Sequence, residues 1–131
     1  MLNISPPLNF EERWFAPHTA YSMAKFGMSL CVLGMAGEFR QDGVACNALW
    51  PRTAIDTAAM VMLGGAEALK RCRKPEIMAD AAHVILTRPA REFTGHFCID
   101  DEVLRSAGVS DLSVYRHAGA KESDLLPDFF V

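Results

Sequence analysis

The stretch Thr19-Ala-Tyr-Ser-Met-Ala-Lys-Phe-Gly-Met-Ser29 opens a proline-free segment that covers residues 18–40. Alanine, methionine and leucine dominate this segment, and because these residues favour helix they predict one long helix. Its apolar residues go most of the way round the helix. A helix that is apolar on more than one face is buried on more than one face, so we expect it to pack against a sheet and against a partner subunit.

Short apolar segments before and after this helix predict β-strands at residues 2–5, 44–49 and 97–100. Between the last two strands, helices are predicted at 55–62, 66–72 and 75–87, and one or two helical turns follow at 100–107. Thr53 is the predicted cap of the first of these helices, with Asp56 in the capping-box position, and Gly64-Gly65 is expected to break it. The alternation of strands and helices predicts the α/β class, with a Rossmann-like parallel sheet.

The composition narrows the class of protein. At 131 residues, half of them hydrophobic, the chain is long enough for one domain with a real core, which we place at residues 1–131. The net charge of −3 leaves no excess of Lys and Arg, so nucleic acid is not an expected partner. The longest apolar run, residues 28–37, is too short to cross a bilayer and no secretory signal is evident, so we expect no membrane partner.

The four cysteines suggest a location rather than a reaction. They form no C-x-x-C pair and have no clustered histidine, which argues against a metal site and favours free thiols in the reducing cytoplasm. Cys72 stands among four lysines and arginines that could lower its pKa, although an unreactive thiol is the commoner outcome for such a position.

Tyr21 and Lys25 carry the functional prediction. Positions four apart on a helix lie on one face, so the two side chains are expected to project together. A free phenol, with a pKa of about 10, is a poor base at neutral pH, but a nearby ammonium favours the phenolate and lowers that pKa. The phenol then becomes a usable proton donor and acceptor. The spacing alone is weak, because Tyr and Lys one turn apart are common and the lysine is usually solvated.

Flanking segments, taken in chain order, strengthen the prediction. They are Leu2-Asn-Ile-Ser5, Tyr21-Ser-Met-Ala-Lys25, Val44-Ala-Cys-Asn-Ala-Leu-Trp-Pro51, and Phe93-Thr-Gly-His-Phe97 with Ile99-Asp100. Together they resemble the short-chain dehydrogenase/reductase family over nearly the whole chain. The Ser-Pro-Pro, Ala-Leu-Trp-Pro-Arg-Thr-Ala-Ile and closing Pro-Asp-Phe-Phe sequences resemble its hydroxysteroid-dehydrogenase-like branch in particular.

The resemblance implies an NAD(P)-dependent oxidoreductase that acts on a small-molecule carbonyl or secondary alcohol. Tyr21 would exchange the proton with the substrate oxygen and would lie against the cofactor, NAD or NADP. Lys25 would bind the nicotinamide ribose and hold the pKa of Tyr21 down. Pro51 and Thr53 would lie beside the nicotinamide. Hydride transfer itself would belong to the cofactor.

Two positions depart from the family pattern. The catalytic serine is usually the second residue of Ser-Ser after Asn-Ile, and Pro6 stands there; Ser5 is one residue early and is expected to point away from the site, because strand residues alternate in direction. The usual Pro-Gly is Pro51-Arg52, which puts a long cation beside the cofactor site. Arg52 could contact a cofactor phosphate or an acidic substrate, or it could be a solvated loop side chain.

None of the nine glycines forms the Gly-rich turn that brings backbone N–H groups to a pyrophosphate. The sequence therefore predicts the C-terminal half of a short-chain dehydrogenase, without the N-terminal dinucleotide-binding half, and we do not expect it to act alone. We expect a homo-oligomer that associates through the long helix. The alternative is a non-catalytic truncated product, or an interaction domain that pairs with another copy or with a complementary half.

Overall fold

A computed structural model describes all 131 residues. The strands are β1 (Leu2–Ile4), β2 (Asn47–Trp50) and β3 (Phe97–Ile99). The helices are α1 (Thr19–Glu38), α2 (Ala58–Leu69), α3 (Glu76–Leu86) and α4 (Asp100–Ser106), and short 3₁₀ turns lie at Glu12–Trp14, Ser113–Tyr115 and Glu122–Asp124. None of the helices combines the length and the apolar character that a membrane span requires.

The three strands form one parallel sheet in the order β1-β2-β3. Parallel neighbours need crossover connections, and α1 supplies the first while α2 and α3 supply the second. The predicted α/β class, with a Rossmann-like parallel sheet, is confirmed.

The central strand β2 separates two hydrophobic cores. Leu49 packs with Ile77 of α3 and Leu104 of α4, whereas its neighbour Trp50 packs with Phe26 of α1. Successive side chains of a strand point to opposite faces, so this alternation places α1 on one face and α3 with α4 on the other. The carboxyl ends of all three strands therefore meet at one edge between the two layers.

Helix α1 packs on the sheet through a single buried stripe. The stripe consists of Ser22, Phe26, Ser29, Val32 and Ala36, which recur at the spacing of one helix face. The opposite side leaves large apolar side chains exposed. The predicted helix is confirmed, with ends one and two residues inside the predicted bounds.

Helix α2 differs from its prediction at the start and agrees with it at the break. It begins at Ala58 after Thr57, so the prediction that Thr53 caps it was wrong. Thr53 instead pairs with Pro127 through an antiparallel bridge, which fixes its backbone outside the helix. The expected glycine break lies at Gly65, whose φ of 70° and ψ of −178° are not helical. No residue of α2 is buried.

Residues 125–131, the C-terminal tail, run back across the carboxyl end of β2. The Ala54 N–H donates to the Leu126 carbonyl at 2.9 Å, and the Asp128 N–H donates to the Arg52 carbonyl at 3.1 Å. The Trp50 indole N–H donates to the Phe129 carbonyl at 2.7 Å. These bonds tie the tail to the segment that follows β2, far away in sequence.

Candidate functional site

A cleft of about 640 Å³ opens at the carboxyl ends of β1 and β2. It lies between α1, α2 and the C-terminal tail, and we call it the Tyr21 cleft. Its polar lining consists of Tyr21, Lys25, Thr57 and Asp128. The other lining residues are apolar or proline, which suits a ligand that is largely apolar. Ligands of parallel α/β folds commonly bind at this edge of the sheet.

Tyr21 lies in the first turn of α1 and is 44% exposed. Its ring stacks on Phe130, with centroids 6.0 Å apart and planes at 14°, and meets Phe129 edge-on at 6.2 Å. Burial and, after it, the charge of Asp128 raise the pKa of Tyr21. The prediction that this pKa is lowered was wrong for this structure, because burial, and after it the Asp128 carboxylate, act on the phenol instead of the Lys25 ammonium.

Lys25 lies one helical turn further along and lines the same cleft, as the spacing predicted. Its ammonium donates to the Ile4 carbonyl at the end of β1, at 3.3 Å. It also lies 5.1 Å from the centroid of the Trp50 ring, a cation–π distance. Two acceptors from the sheet thus hold the ammonium at the strand ends, and an ammonium has further N–H donors to offer.

The other two predicted site residues, Pro51 and Thr53, differ in whether they line the cleft. Pro51 lines the cleft directly after β2, whereas Thr53 does not. Thr53 is buried, and its hydroxyl has no hydrogen-bond partner. Its backbone pairs with Pro127, which does line the cleft.

Arg52 is paired with carboxylates in this structure, an arrangement that the sequence did not predict. Its guanidinium donates from Nε to Asp101 at 3.2 Å and forms an ion pair with Glu102, both on α4. Its backbone N–H donates to the Asp100 carboxylate at 2.9 Å. The cation is therefore engaged by the carboxylates that open α4.

No serine lines the cleft. Ser5 is fully buried and its hydroxyl has no partner, in agreement with the expectation that it points away from the site. The buried hydroxyls of Ser22 and Ser29 donate to the carbonyls of Trp14 and Pro6, the latter at 2.6 Å. Apart from Tyr21, Thr57 is the one hydroxyl-bearing residue of the lining.

Sequence reasoning missed Asp128. Its carboxylate lines the cleft, and its Oδ1 accepts the Phe129 N–H at 2.6 Å. Burial, followed by the repulsion of Asp100, raises the pKa of Asp128 to about 6, although Lys25 opposes this rise. The only sequence signal was the closing Pro-Asp-Phe-Phe, which says nothing about where the tail folds back.

Cys72 and a second hollow are weaker candidates for a functional site than the Tyr21 cleft. The Cys72 thiol is fully buried, and burial with nearby carboxylates raises its pKa, which outweighs the lowering by its basic neighbour Arg71. The second hollow, of about 590 Å³, is bordered by Lys70, Arg71 and part of the segment before the tail. Both cations are occupied there, Lys70 by Glu67 and Arg71 by the Asp124 carbonyl. The Tyr21 cleft remains the better candidate site.

The fold matches that of short-chain dehydrogenases, although no protein-family model matches the chain. The chain superposes on the crystal structure of a short chain dehydrogenase from Mycobacterium thermoresistibile with a TM-score of 0.86 and 48% identity, over 99% of this chain and 45% of that one. A protein from Xanthomonas campestris, provisionally described as a dehydrogenase, matches with a TM-score of 0.91 and 53% identity, over 99% and 47%.

The similar curated proteins carry one particular name, hydroxysteroid dehydrogenase-like protein 2. The protein from Danio rerio is 58% identical over all 131 residues, and the one from Homo sapiens is 52% identical over the same length. The chain spans 31% and 30% of the lengths of these two relatives. The predicted resemblance to the short-chain dehydrogenases, and to their hydroxysteroid-dehydrogenase-like branch, is confirmed.

Proposed function

We propose that this chain supplies the proton-transfer side of an NAD(P)-dependent oxidoreductase of the short-chain dehydrogenase type. The observation that carries the proposal is the convergence of Tyr21, Lys25 and Pro51 on one cleft at the carboxyl ends of the parallel strands. We further propose that residues 1–131 form one domain that is the C-terminal part of such an enzyme.

Tyr21 would act as the proton donor to a substrate oxygen. The Tyr21 phenol is protonated at neutral pH, so it holds the proton that is needed when a carbonyl is reduced to a secondary alcohol. In the reverse reaction Tyr21 would have to be deprotonated beforehand, so that its phenolate accepts the hydroxyl proton as the alcohol is oxidised. Phe130, stacked beneath the ring, keeps the phenol facing the cleft.

The residues present fit the nicotinamide end of a cofactor, NAD or NADP, which would supply or accept the hydride when bound. Lys25 is held at the strand ends and has ammonium donors left for ribose hydroxyls. Pro51 offers an apolar surface beside it. Thr53 is not in the lining, so its predicted contact with the cofactor would require a rearrangement, whereas Tyr21, Lys25 and Pro51 already face the cleft.

The substrate would be a largely apolar carbonyl compound or secondary alcohol. The reacting oxygen would lie at Tyr21, and the rest of the molecule would lie against apolar side chains such as Met60, Leu63 and Met78. Burial of apolar surface would supply most of the affinity, at roughly 25 cal/mol for each Å² removed from water.

Nuclear magnetic resonance titration tests the cofactor half of the proposal. Reduced nicotinamide mononucleotide and NADH are added separately to the chain and to the Lys25→Met variant. We expect both ligands to shift amides around Lys25 and the end of β2, and to do so with similar affinity, because the chain has no Gly-rich turn for a pyrophosphate. The shifts should disappear in Lys25→Met. Absence of any shift, also in the product of the complete reading frame, would contradict the proposal.

The exposed side of α1 favours a second role, pairing with another copy of the chain. Met23, Leu30 and Leu33 are each at least half exposed, which is unusual for large apolar residues grouped on one helix. We propose that the chain forms a homo-oligomer through this exposed side of α1. Sedimentation equilibrium should show a dimer or larger species that Leu30→Glu dissociates, with the exposed Val114→Glu as control. A monodisperse wild-type monomer would rule the pairing out.

A further inference from the structure

We propose that α2 and the basic link after it form a peripheral docking surface for a lipid bilayer with anionic headgroups. Three exposed apolar residues, which we call the α2 tip, enter the boundary between headgroups and acyl chains: Val61, Met62 and Leu63. Three cations contact the headgroups: Lys70, Arg71 and Lys74. This inference goes beyond the proposed function, because it concerns the surface on which the chain works and stands whether or not the chain is an oxidoreductase.

The α2 tip is more apolar and more exposed than the Tyr21 cleft requires. Residues 58–66 contain no polar side chain, and no residue of α2 is buried. Met62 and Leu63 are 88% and 80% exposed, and Val61 is exposed beside them. Of these three, only Leu63 lines the cleft. Contiguous exposed apolar residues mark a surface that contacts a partner or a membrane, so Val61 and Met62 need an occupant outside the cleft.

The charges next to the tip suit an anionic surface. Residues 67–74 carry four cations and one carboxylate, although the whole chain has a net charge of −3. Arg71 and Lys74 have no carboxylate partner; they donate to the carbonyls of Asp124 and Val114, at 3.0 and 3.1 Å. A neutral carbonyl positions a cation without cancelling its charge. Each such cation near an anionic bilayer contributes about 1 kcal/mol, or about fivefold in affinity.

The other two cations of the link are paired, but in different ways. Arg73 is buried against Glu122, so it belongs to the fold. Lys70 pairs with Glu67 on the surface, where both side chains are exposed. Exposed ion pairs of this kind are weak, so a lipid phosphate can compete for Lys70. The surface therefore offers three cations to a bilayer.

The form of α2 favours lipid over a protein partner. Gly65 interrupts the helix, and the core holds none of its side chains. Protein interfaces depend on close shape complementarity, whereas an interfacial lipid contact needs apolar side chains beside cations. The exposed side of α1 lacks such cations, because Lys25 is the only one in that helix and faces the cleft.

A peripheral contact also agrees with the absence of a spanning helix, since it needs neither a span nor a signal segment. The expectation of no membrane partner rested on those two features. Leu63 belongs both to the tip and to the cleft lining, so docking would bring the apolar side of the cleft next to the acyl chains.

Vesicle flotation tests the proposal with the 131-residue chain. The vesicles are phosphatidylcholine alone, or phosphatidylcholine mixed with phosphatidylserine. We expect the chain to float with the anionic vesicles, to bind the neutral ones more weakly, and to be released by salt. Met62→Asp should weaken binding to anionic vesicles by about tenfold or more, because it removes a large apolar side chain from the contact. Arg71→Gln should weaken it by about fivefold.

Two matched controls make the same kinds of change elsewhere. Leu86→Asp and Arg40→Gln alter exposed residues at the far ends of α3 and just beyond α1, at the edge of the sheet opposite the cleft. Both should bind like wild type. In a second measurement, Met62→Trp should gain fluorescence that brominated lipid quenches, and Leu86→Trp should not. This reporter keeps the test decisive even if Met62→Asp fails to fold.

Four results would overturn the proposal. They are no flotation with anionic vesicles, equal binding to neutral vesicles, equal losses in the controls, and no quenching in Met62→Trp. Self-association without lipid that Met62→Asp abolishes would equally overturn it, because a second copy would then cover the α2 tip. None of these measurements uses cofactor or turnover, so failure here is distinct from failure of the dehydrogenase proposal.

Discussion

The two helices that flank the Tyr21 cleft are both apolar, yet only one of them belongs to the core. Helix α1 buries a continuous stripe of five side chains against the sheet, whereas α2 buries none. Helix α1 is continuous, and α2 is interrupted at Gly65. Apolar composition alone therefore does not decide whether a helix is part of the core; the spacing of the buried positions does.

This difference assigns different tasks to the two walls of the cleft. The wall that carries Tyr21 and Lys25 is fixed by Phe26 and its aromatic neighbours, and proton transfer needs fixed groups. The α2 wall contributes apolar surface through Met60 and Leu63 without being held by a core of its own. Elements with few buried contacts open at low free energy, so α2 is the wall that can adjust to a ligand.

The largest expected effect contrasts a core residue of α1 with an exposed one of α2. Phe26 is 3% exposed and its ring lies 5.0 Å from that of Phe130, so Phe26→Ala should lower the free energy of unfolding by about 3–5 kcal/mol. Met62 is 88% exposed, and Met62→Ala should change it by less than about 0.5 kcal/mol. Urea denaturation measures both. Similar losses in the two variants would mean that α2 is part of the core after all.

Replacing one glycine by alanine in each helix should change stability by a smaller amount. The change should have opposite signs in α2 and in α1. Gly65 has the φ and ψ of a region that side chains avoid, so Gly65→Ala should cost about 1–3 kcal/mol even though a methyl group has open space there. Gly34 lies within α1 and also has open space, so Gly34→Ala should stabilise the fold by about 0.5–1 kcal/mol. Thermal or urea unfolding distinguishes the two. If Gly65→Ala is also stabilising, the break in α2 does not persist in solution.

The last effect on stability concerns pH and the C-terminal tail. The pKa of Asp128 in the folded chain, about 6, lies above its ordinary value of 3.8, so the folded state holds an extra proton between these values. Stability should therefore fall as the pH rises through this window. Asp128→Asn removes that loss and should be more stable than wild type near neutral pH by about 1 kcal/mol, a figure reduced for solvent screening. Urea denaturation at acidic and neutral pH tests it; a variant with the wild-type slope would show that Asp128 titrates normally. Asp100, whose pKa is also raised, remains in both proteins as a common background.

Local features were predictable from the sequence. The long helix was predicted because its residue types and length agree, and Tyr21 and Lys25 share a cleft because four residues make about one turn. The glycine break in α2 followed from Gly64-Gly65, since glycine tolerates the backbone angles found at Gly65.

Features that depend on distant parts of the chain were not predictable. Thr53 resembled a helix cap, but its pairing with Pro127 decides its conformation. Arg52 looked like a ligand or a solvated side chain because nothing local showed that α4 would place two carboxylates beside it. Asp128 enters the site only because the tail pairs with residues more than seventy positions earlier, and no local pattern encodes that pairing.

The central claim is that Tyr21 is the proton donor of a dehydrogenase site, and the two tyrosines of the chain allow a matched test. NAD(P)H-dependent reduction of apolar carbonyl compounds should be measured in the product of the complete reading frame, with Tyr21→Phe and Tyr115→Phe side by side. Tyr115 donates its hydroxyl to Asp80 at 2.6 Å and does not line the cleft. We predict that Tyr21→Phe lowers kcat/KM by about 10²–10⁴-fold while Tyr115→Phe stays close to wild type. Full activity in Tyr21→Phe would contradict the account.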